Sequence, residues 1–577
     1  MVDKIDEVVE EMVDETVSEE SEKGKKKFAF KPFMKKYGFY IGISLIMLVT
    51  LVIMFSDREV VNSGDVNYDK PVYYITGNNL YIKERGRDEV LISSTMFQAP
   101  DDRSKEDALA AVLVSEDGEY LYFYENVAID SNGGMLGDFC VYYRGRKTLI
   151  EEDTGIYFAI SDDYSKVLYI KPNFNAQGGS GYENIRYDLY TFTIRGGKKR
   201  VEAGVEPAWY NLSGDGSTVF YTKDYDASTD TSSLFIYEDG KSTFIDDHMF
   251  FYGDFVPKGT FRQNWPKTNY DGSAVIYGKR LKYGDMAKMY YYKDGISSLL
   301  GEDVLQVFTD ESLDTALLVH NYDSEEFMGD MTRVNLKTLE REDIVSEVWG
   351  LGTVSVALTV DPEFLAKNLY FKYYDEVINV ADLCLMTDEG EQVLIYATDV
   401  SNIQFAEDYS SVYGLDYYVP EEGGRLAKVV FTNDGFEKNE FDEFVQNYVV
   451  SASGKYVNYM VDEVLFMIGE SNEKLYIDKY DIETFGVLEG DKKQFYFRES
   501  SLGKGNVYVR GLGDRDQSQM VAEDTHYVWD FGDNKLAFIT GYDFSTSTGS
   551  LYLTDGEGKY ELIAEGVELP LFFNYIY

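Results

Sequence analysis

The sequence predicts an all-β chain of about ten to eleven degenerate four-stranded units, preceded by one membrane-spanning helix. Three observations carry this prediction. A pattern of aromatic strand, polar turn and aromatic strand recurs from about residue 72 onward, and AWYNLSGDGSTVFY, residues 208–221, is its clearest copy. The composition suits strands, with 50 Tyr and 36 Phe but only 10 Pro in 577 residues, because flat and branched side chains fit a pleated surface. Finally, YGFYIGISLIMLVTLVIMF, residues 37–55, carries no charge.

Residues 1–36 read as a charged cytoplasmic tail, largely disordered. Val2, Ile5, Val9 and Met12 could line one face of a short helix, but two turns alone are marginal. Lys23, Lys25, Lys26, Lys27, Lys31, Lys35 and Lys36 then precede the apolar run. At 1.5 Å per residue, residues 37–55 reach about 28 Å, enough to cross a hydrocarbon core. The lysines keep the N-terminus inside and export the remainder. A cleaved signal peptide is the rival reading, but FSDREVV has no small-x-small cleavage site. Gly38 and Gly42 form a GxxxG pattern near one end of the span. Residues 56–70 read as a linker.

The net charge is −48, and residues 1–36 hold ten acidic and eight basic residues, so −46 lies beyond them. The acidity belongs outside the cell. Such a surface repels phosphate backbones and disfavours nucleic acid. It fits cations, basic proteins, or polymers read by hydrogen bonding and stacking. Cys140 and Cys384 lie in apolar runs and read as buried thiols rather than a disulfide.

The repeat units centre near residues 72, 117, 163, 215, 271, 310, 367, 410, 454, 490 and 533, about 46 residues apart, which suits four short strands with turns. Sheets with apolar residues on both faces must stack on their neighbours, and a ring of such sheets is a β-propeller. EDGK, KDGI, DEGE and DGEG are tight hairpin turns in which Gly supplies positive φ. Trp209, Phe308, Trp349, Phe405 and Trp529 fall just before the polar turn of their copies and are expected to wedge neighbouring sheets together. The exported chain opens with PVYYITG in phase with a second strand and ends with LPLFFNYIY in phase with an inner strand. The last strand could therefore complete the first sheet and remove a free edge. The irregular stretch 350–368 suggests a break between propeller-like repeats 71–350 and 351–577, with a single ring over 71–577 as the alternative.

EPAWYNLSGDGSTVFY resembles the inner-strand and turn motif of TolB-like, WD40-like propeller repeats at Pro207, Trp209, Ser213, Asp215, Gly216, Val219 and Tyr221, with two extra residues before the Ser. Other copies depart from it: SDDYSKVLY lacks the Gly and ASGKYVNY lacks the Asp. The resemblance implies the fold and a tendency to bind partners, and implies no chemistry.

Signals for catalysis are sparse. His248, His320 and His526 are the three histidines, and no GxSxG, HExxH, P-loop or paired CxxC motif occurs. GGSGY, residues 178–182, lacks the final Gly of a nucleophile elbow. Asp224, Asp226 and Asp230 in DYDASTD form a weak calcium candidate, and no other cofactor is indicated. The reading is a membrane-anchored, extracytoplasmic, non-enzymatic binding or scaffold module for a protein, peptide or cell-wall polymer. The alternatives are an extracellular carbohydrate- or peptide-active enzyme and a transmembrane sensor signalling through the acidic tail.

Overall fold

The computed structural model describes residues 62–571 apart from short stretches, of which 97–111, 174–185, 251–265 and 350–367 are the longest. Every regular element among the described residues is a strand. The strands form nine hydrogen-bonded sheets, two of them eight-stranded. Each eight-stranded sheet is two meanders fused edge to edge, which gives eleven consecutive meanders. Numbering the eleven meanders as sheets 1 to 11 in chain order, sheet 1 spans 72–93, and sheets 2 to 6 span 113–155, 158–205, 210–250, 267–304 and 306–348. Sheets 7 to 11 span 369–399, 403–445, 447–479, 482–525 and 525–567. Sheet 7 has three described strands. The unit near residue 310 is a full four-stranded meander.

The chain closes as its phase predicts. Leu569–Leu571 pairs antiparallel with Val72–Thr76, setting Tyr73 opposite Leu571 and Ile75 opposite Leu569. It thereby supplies the inner strand of sheet 1. Core clusters follow the same cycle. Alternation along a strand puts one apolar row on each face: Leu168 and Ile170 pack with Tyr210 and Leu212, while Val167 and Tyr169 join the cluster of sheets 1 to 3. Ala537, Ile539 and Leu551 of sheet 11 pack with Val72 and Tyr74 of sheet 1. The all-β arrangement is thus propeller-type, with residues 62–577 forming one compact unit.

The expected break at 350–368 lies almost wholly outside the described residues. On either side of it, Phe308, Leu317 and Val348 of sheet 6 share one core cluster with Leu369, Phe371 and Leu383 of sheet 7. Residues 37–55 also lie outside the described residues, among which no helix is long and apolar enough to cross a membrane.

Tyrosine supplies the largest fully buried side chains, because it fills a wide seam and still carries a hydrogen-bonding tip. Buried Tyr73, Tyr122 and Tyr413 donate their hydroxyls to the carbonyls of Gly118, Tyr164 and Gly454, in the first turn of the next sheet, at 2.8, 2.7 and 2.9 Å.

Candidate functional site

The repeat motif is a turn-building device. Ser213 Oγ donates to Asp215 Oδ1 at 2.8 Å, and the same carboxylate oxygen accepts from Ser217 N at 2.8 Å. Ser213 Oγ also accepts from Thr218 N at 3.0 Å, and Gly216 takes a φ of +71°. Sheets 2 and 3 repeat this geometry through Ser115 with Asp117 and Ser161 with Asp163. These carboxylates are thereby committed to their own turns. Pro207 lies outside the described residues. Trp209 is buried against Val275 and Tyr277 of the next sheet. Trp349 packs edge-on to Phe371 at 6.4 Å, and Trp529 flanks the cluster that joins sheets 11 and 1.

The calcium candidates do not converge. Asp226 Oδ1 caps its turn by accepting from Ser228 N and Oγ at 2.8 and 2.7 Å. Asp230 is held by the buried Arg280 guanidinium and by Tyr225, whose hydroxyl donates at 2.8 Å. Among the described residues no three His, Cys, Asp or Glu side chains form a metal-ligand group.

The histidines lie in three different sheets. His248 sits beside Asp247 in sheet 4 at 3.1 Å. In sheet 6 His320 Nε2 meets Thr332 Oγ1 at 2.8 Å, and Thr332 donates to Asp343 Oδ1 at 3.0 Å. His320 and Thr332 are buried and the hydroxyl proton is committed to Asp343, so the contacts tie three adjacent strands together. Cys140 and Cys384 are buried and unbridged; burial first, and then Glu125, pushes the Cys140 thiol up. The GGSGY stretch lies outside the described residues.

His526 occupies a different setting. Strand Gln519–Gly532 runs from the outer edge of sheet 10 into the inner position of sheet 11. It brings His526, Tyr527 and Trp529 beside the end of strand Lys535–Asp543 and its following turn. Tyr527 meets Tyr542 edge-on at 5.1 Å and stacks on Trp529 at 5.8 Å. Phe544 meets Tyr542 and His526 edge-on at 5.1 and 5.6 Å. Tyr527 is 41% exposed and Phe544 65%. Five rings therefore share one partly open patch. His526 Nδ1 accepts from Tyr542 N at 3.4 Å, which places the proton of the neutral ring on Nε2. Burial, with Lys504 beside it, holds the imidazole below its ordinary range against the opposing pull of Asp524. Partly exposed rings beside a phenol and an imidazole N–H can stack a flat or C–H-rich ligand and hydrogen-bond its edge. In the sequence Trp529 and His526 stood out singly; Tyr527, Tyr542 and Phe544 were hidden among 50 Tyr and 36 Phe, where exposure alone separates surface rings from core rings.

No protein-family model matches the chain, and no curated protein matches it significantly. Among solved structures, a eukaryotic initiation factor is similar at 10% identity over 79% of this chain and 97% of that one, with a TM-score of 0.35. TolB from Acinetobacter baumannii is similar at 14% identity over 48% of this chain and 64% of that one, with a TM-score of 0.22. Porphyromonas gingivalis dipeptidyl peptidase 4 is similar at 12% identity over 70% of this chain and 67% of that one, with a TM-score of 0.33. No activity is carried from them to this chain.

Proposed function

We propose that this chain is a membrane-anchored, extracytoplasmic β-propeller, a single ring over 71–577, that acts as a non-enzymatic binding module for a cell-envelope polymer. The observation that carries this reading is the open aromatic patch of His526, Tyr527, Trp529, Tyr542 and Phe544. Exposed contiguous apolar surface at a strand end is a recognition feature, and a chain of net charge −48 favours a ligand read by stacking over a polyanion. His526, Tyr527, Trp529 and Tyr542 are held on paired strands, which lowers the ordering cost at binding. The apolar run 37–55 and the lysines before it support anchoring with the ring outside.

The test is retention of the full chain, in neutral detergent, on an immobilised cell-wall glycan. Phe544→Ala and Tyr527→Ala should each weaken retention by about tenfold, the loss of one stacking contact of about 1 kcal/mol or slightly more, with an unchanged unfolding temperature. Equal retention of wild type and both variants would remove the patch from the account.

A further inference from the structure

A second surface feature has the opposite character to the chain as a whole. A cavity of about 620 Å³ opens where the turns of sheets 10, 11 and 1 meet, and Arg85, Lys492, Lys493, Lys535 and Lys559 all line it. Five cations against the three carboxylates of Asp533, Asp555 and Glu557 reverse, locally, the charge of a −48 chain.

The three carboxylates are largely committed. Asp555 Oδ1 accepts from the backbone N–H groups of Glu557 and Lys559 at 2.8 and 3.3 Å, so it shapes its own turn. Glu557 pairs with Lys493 at 3.1 Å, and Lys493 Nζ also donates to the Asp555 carbonyl at 2.6 Å. Asp533 stands 3.8 Å from Lys535. Among the described residues, no carboxylate lies within ion-pair distance of Lys492 or Lys559. Ammonium groups lining a concave wall that holds more cations than carboxylates raise the local concentration of anions.

We infer that this cavity binds a single phosphate group carried on a small organic moiety. Lysine ammoniums recognise phosphate as point charges. The volume lies within the range of small-molecule sites and exceeds what a bare phosphate fills. A Debye length of about 8 Å confines the benefit to the cavity; beyond it the acidic surface repels a long polyanion. The shared chemistry is a phosphomonoester, from a soluble metabolite or from a lipid headgroup of the bilayer beside which the chain is expected to sit.

The experiment titrates full chain in neutral detergent with glycerol 3-phosphate and, separately, with dihexanoyl phosphatidic acid, with dihexanoyl phosphatidylcholine as the zwitterionic control. At least one of the anionic probes should saturate and the control should not. Saturation by glycerol 3-phosphate identifies the soluble source; saturation by the lipid alone identifies the headgroup. The Lys492→Gln/Lys559→Gln double variant should weaken binding at least about tenfold with an unchanged unfolding temperature, and Lys559→Arg, which keeps the charge, should bind within about twofold of wild type. Failure of both anionic probes to saturate, equal binding of the control, or unaltered binding by the double variant overturns the inference, and none of these touches the aromatic patch.

Discussion

Tyr277, in the second strand of sheet 5, donates a 2.7 Å hydrogen bond to Asp246, in the outer strand of sheet 4. Lys279, two residues further on, meets the same carboxylate at 2.6 Å. The relationship repeats around the molecule. Tyr221 reaches Glu202 at 2.8 Å, Tyr496 reaches Asp478 at 2.9 Å, and Tyr459 reaches Asp442 at 3.3 Å. Lys223 and Arg498 stand 3.8 and 3.7 Å from Glu202 and Asp478, and Lys474 pairs with Asp442. A tyrosine tip, a carboxylate and a cation thus bind each of these sheets to the one before it, outside the apolar seam. Burial first, then the adjoining carboxylate, pushes the Tyr277 and Tyr459 phenols up, which favours the donor form in these contacts.

Tyr277→Phe should destabilise the chain by about 1–3 kcal/mol, because Asp246 loses a donor at a partly buried site. Lys279→Met should be coupled to it by more than about 0.5 kcal/mol, since both act on one carboxylate. Denaturant midpoints of the two single variants and the double variant measure this. Additive losses would mean that the triad does not work as a unit.

Gly272 and Gly295 both take positive φ, +68° and +80°, yet their surroundings differ. A Cβ on Gly272 would lie 2.5 Å from Thr218 Cβ of the preceding sheet, whereas one on Gly295 would meet nothing within 4 Å. Gly295→Ala should therefore cost only the left-handed strain of about 1 kcal/mol. Gly272→Ala should cost at least about 2 kcal/mol, because the turns of sheets 4 and 5 must also move apart. Thermal unfolding of the two variants checks the difference.

Lys267, on the inner strand of sheet 5, has a buried Nζ with no hydrogen-bond partner among the described residues. Burial pulls it down to about 7, with Asp310 and Glu311 opposing. Between pH 7 and 10 the unfolded chain holds a proton that the folded lysine has released, so this group makes stability rise with pH across that window. Lys267→Met should raise stability by about 2–4 kcal/mol at pH 7, and the gain should shrink towards zero by about pH 10. A gain of equal size at both pH values would show that packing, not charge burial, is responsible.

Much of the architecture was legible because its chemistry is local. The turns that begin at Ser115, Ser161 and Ser213 announce themselves by residues two to five apart, and the phase of LPLFFNYIY anticipated its pairing with PVYYITG. The seams were not legible. Asp246 precedes Tyr277 by 31 residues and Glu202 precedes Tyr221 by 19, and with 102 acidic residues no single one is marked by spacing. The recurrent Tyr-x-Lys of LYIKP, FYTKD and IYGKR was the available signal; it gains meaning only once the preceding outer strand is placed. Asp224, Asp226 and Asp230 show the converse: close spacing in sequence, with the side chains of Asp226 and Asp230 drawn to separate partners. The basic cavity escaped notice because Arg85, Lys493 and Lys559 come from three sheets and meet only on closure.

Closure is the claim on which the rest depends, and it can be read covalently. In an Ile75→Cys/Leu569→Cys variant the two Cα partners would sit within disulfide reach, although they lie near opposite ends of the described residues. Mild oxidation of the dilute full chain should give a monomeric, cross-linked product that migrates faster on non-reducing gels and unfolds at a higher temperature. A variant that stays uncross-linked, or that forms only intermolecular dimers, would contradict a ring closed by its own C-terminal strand.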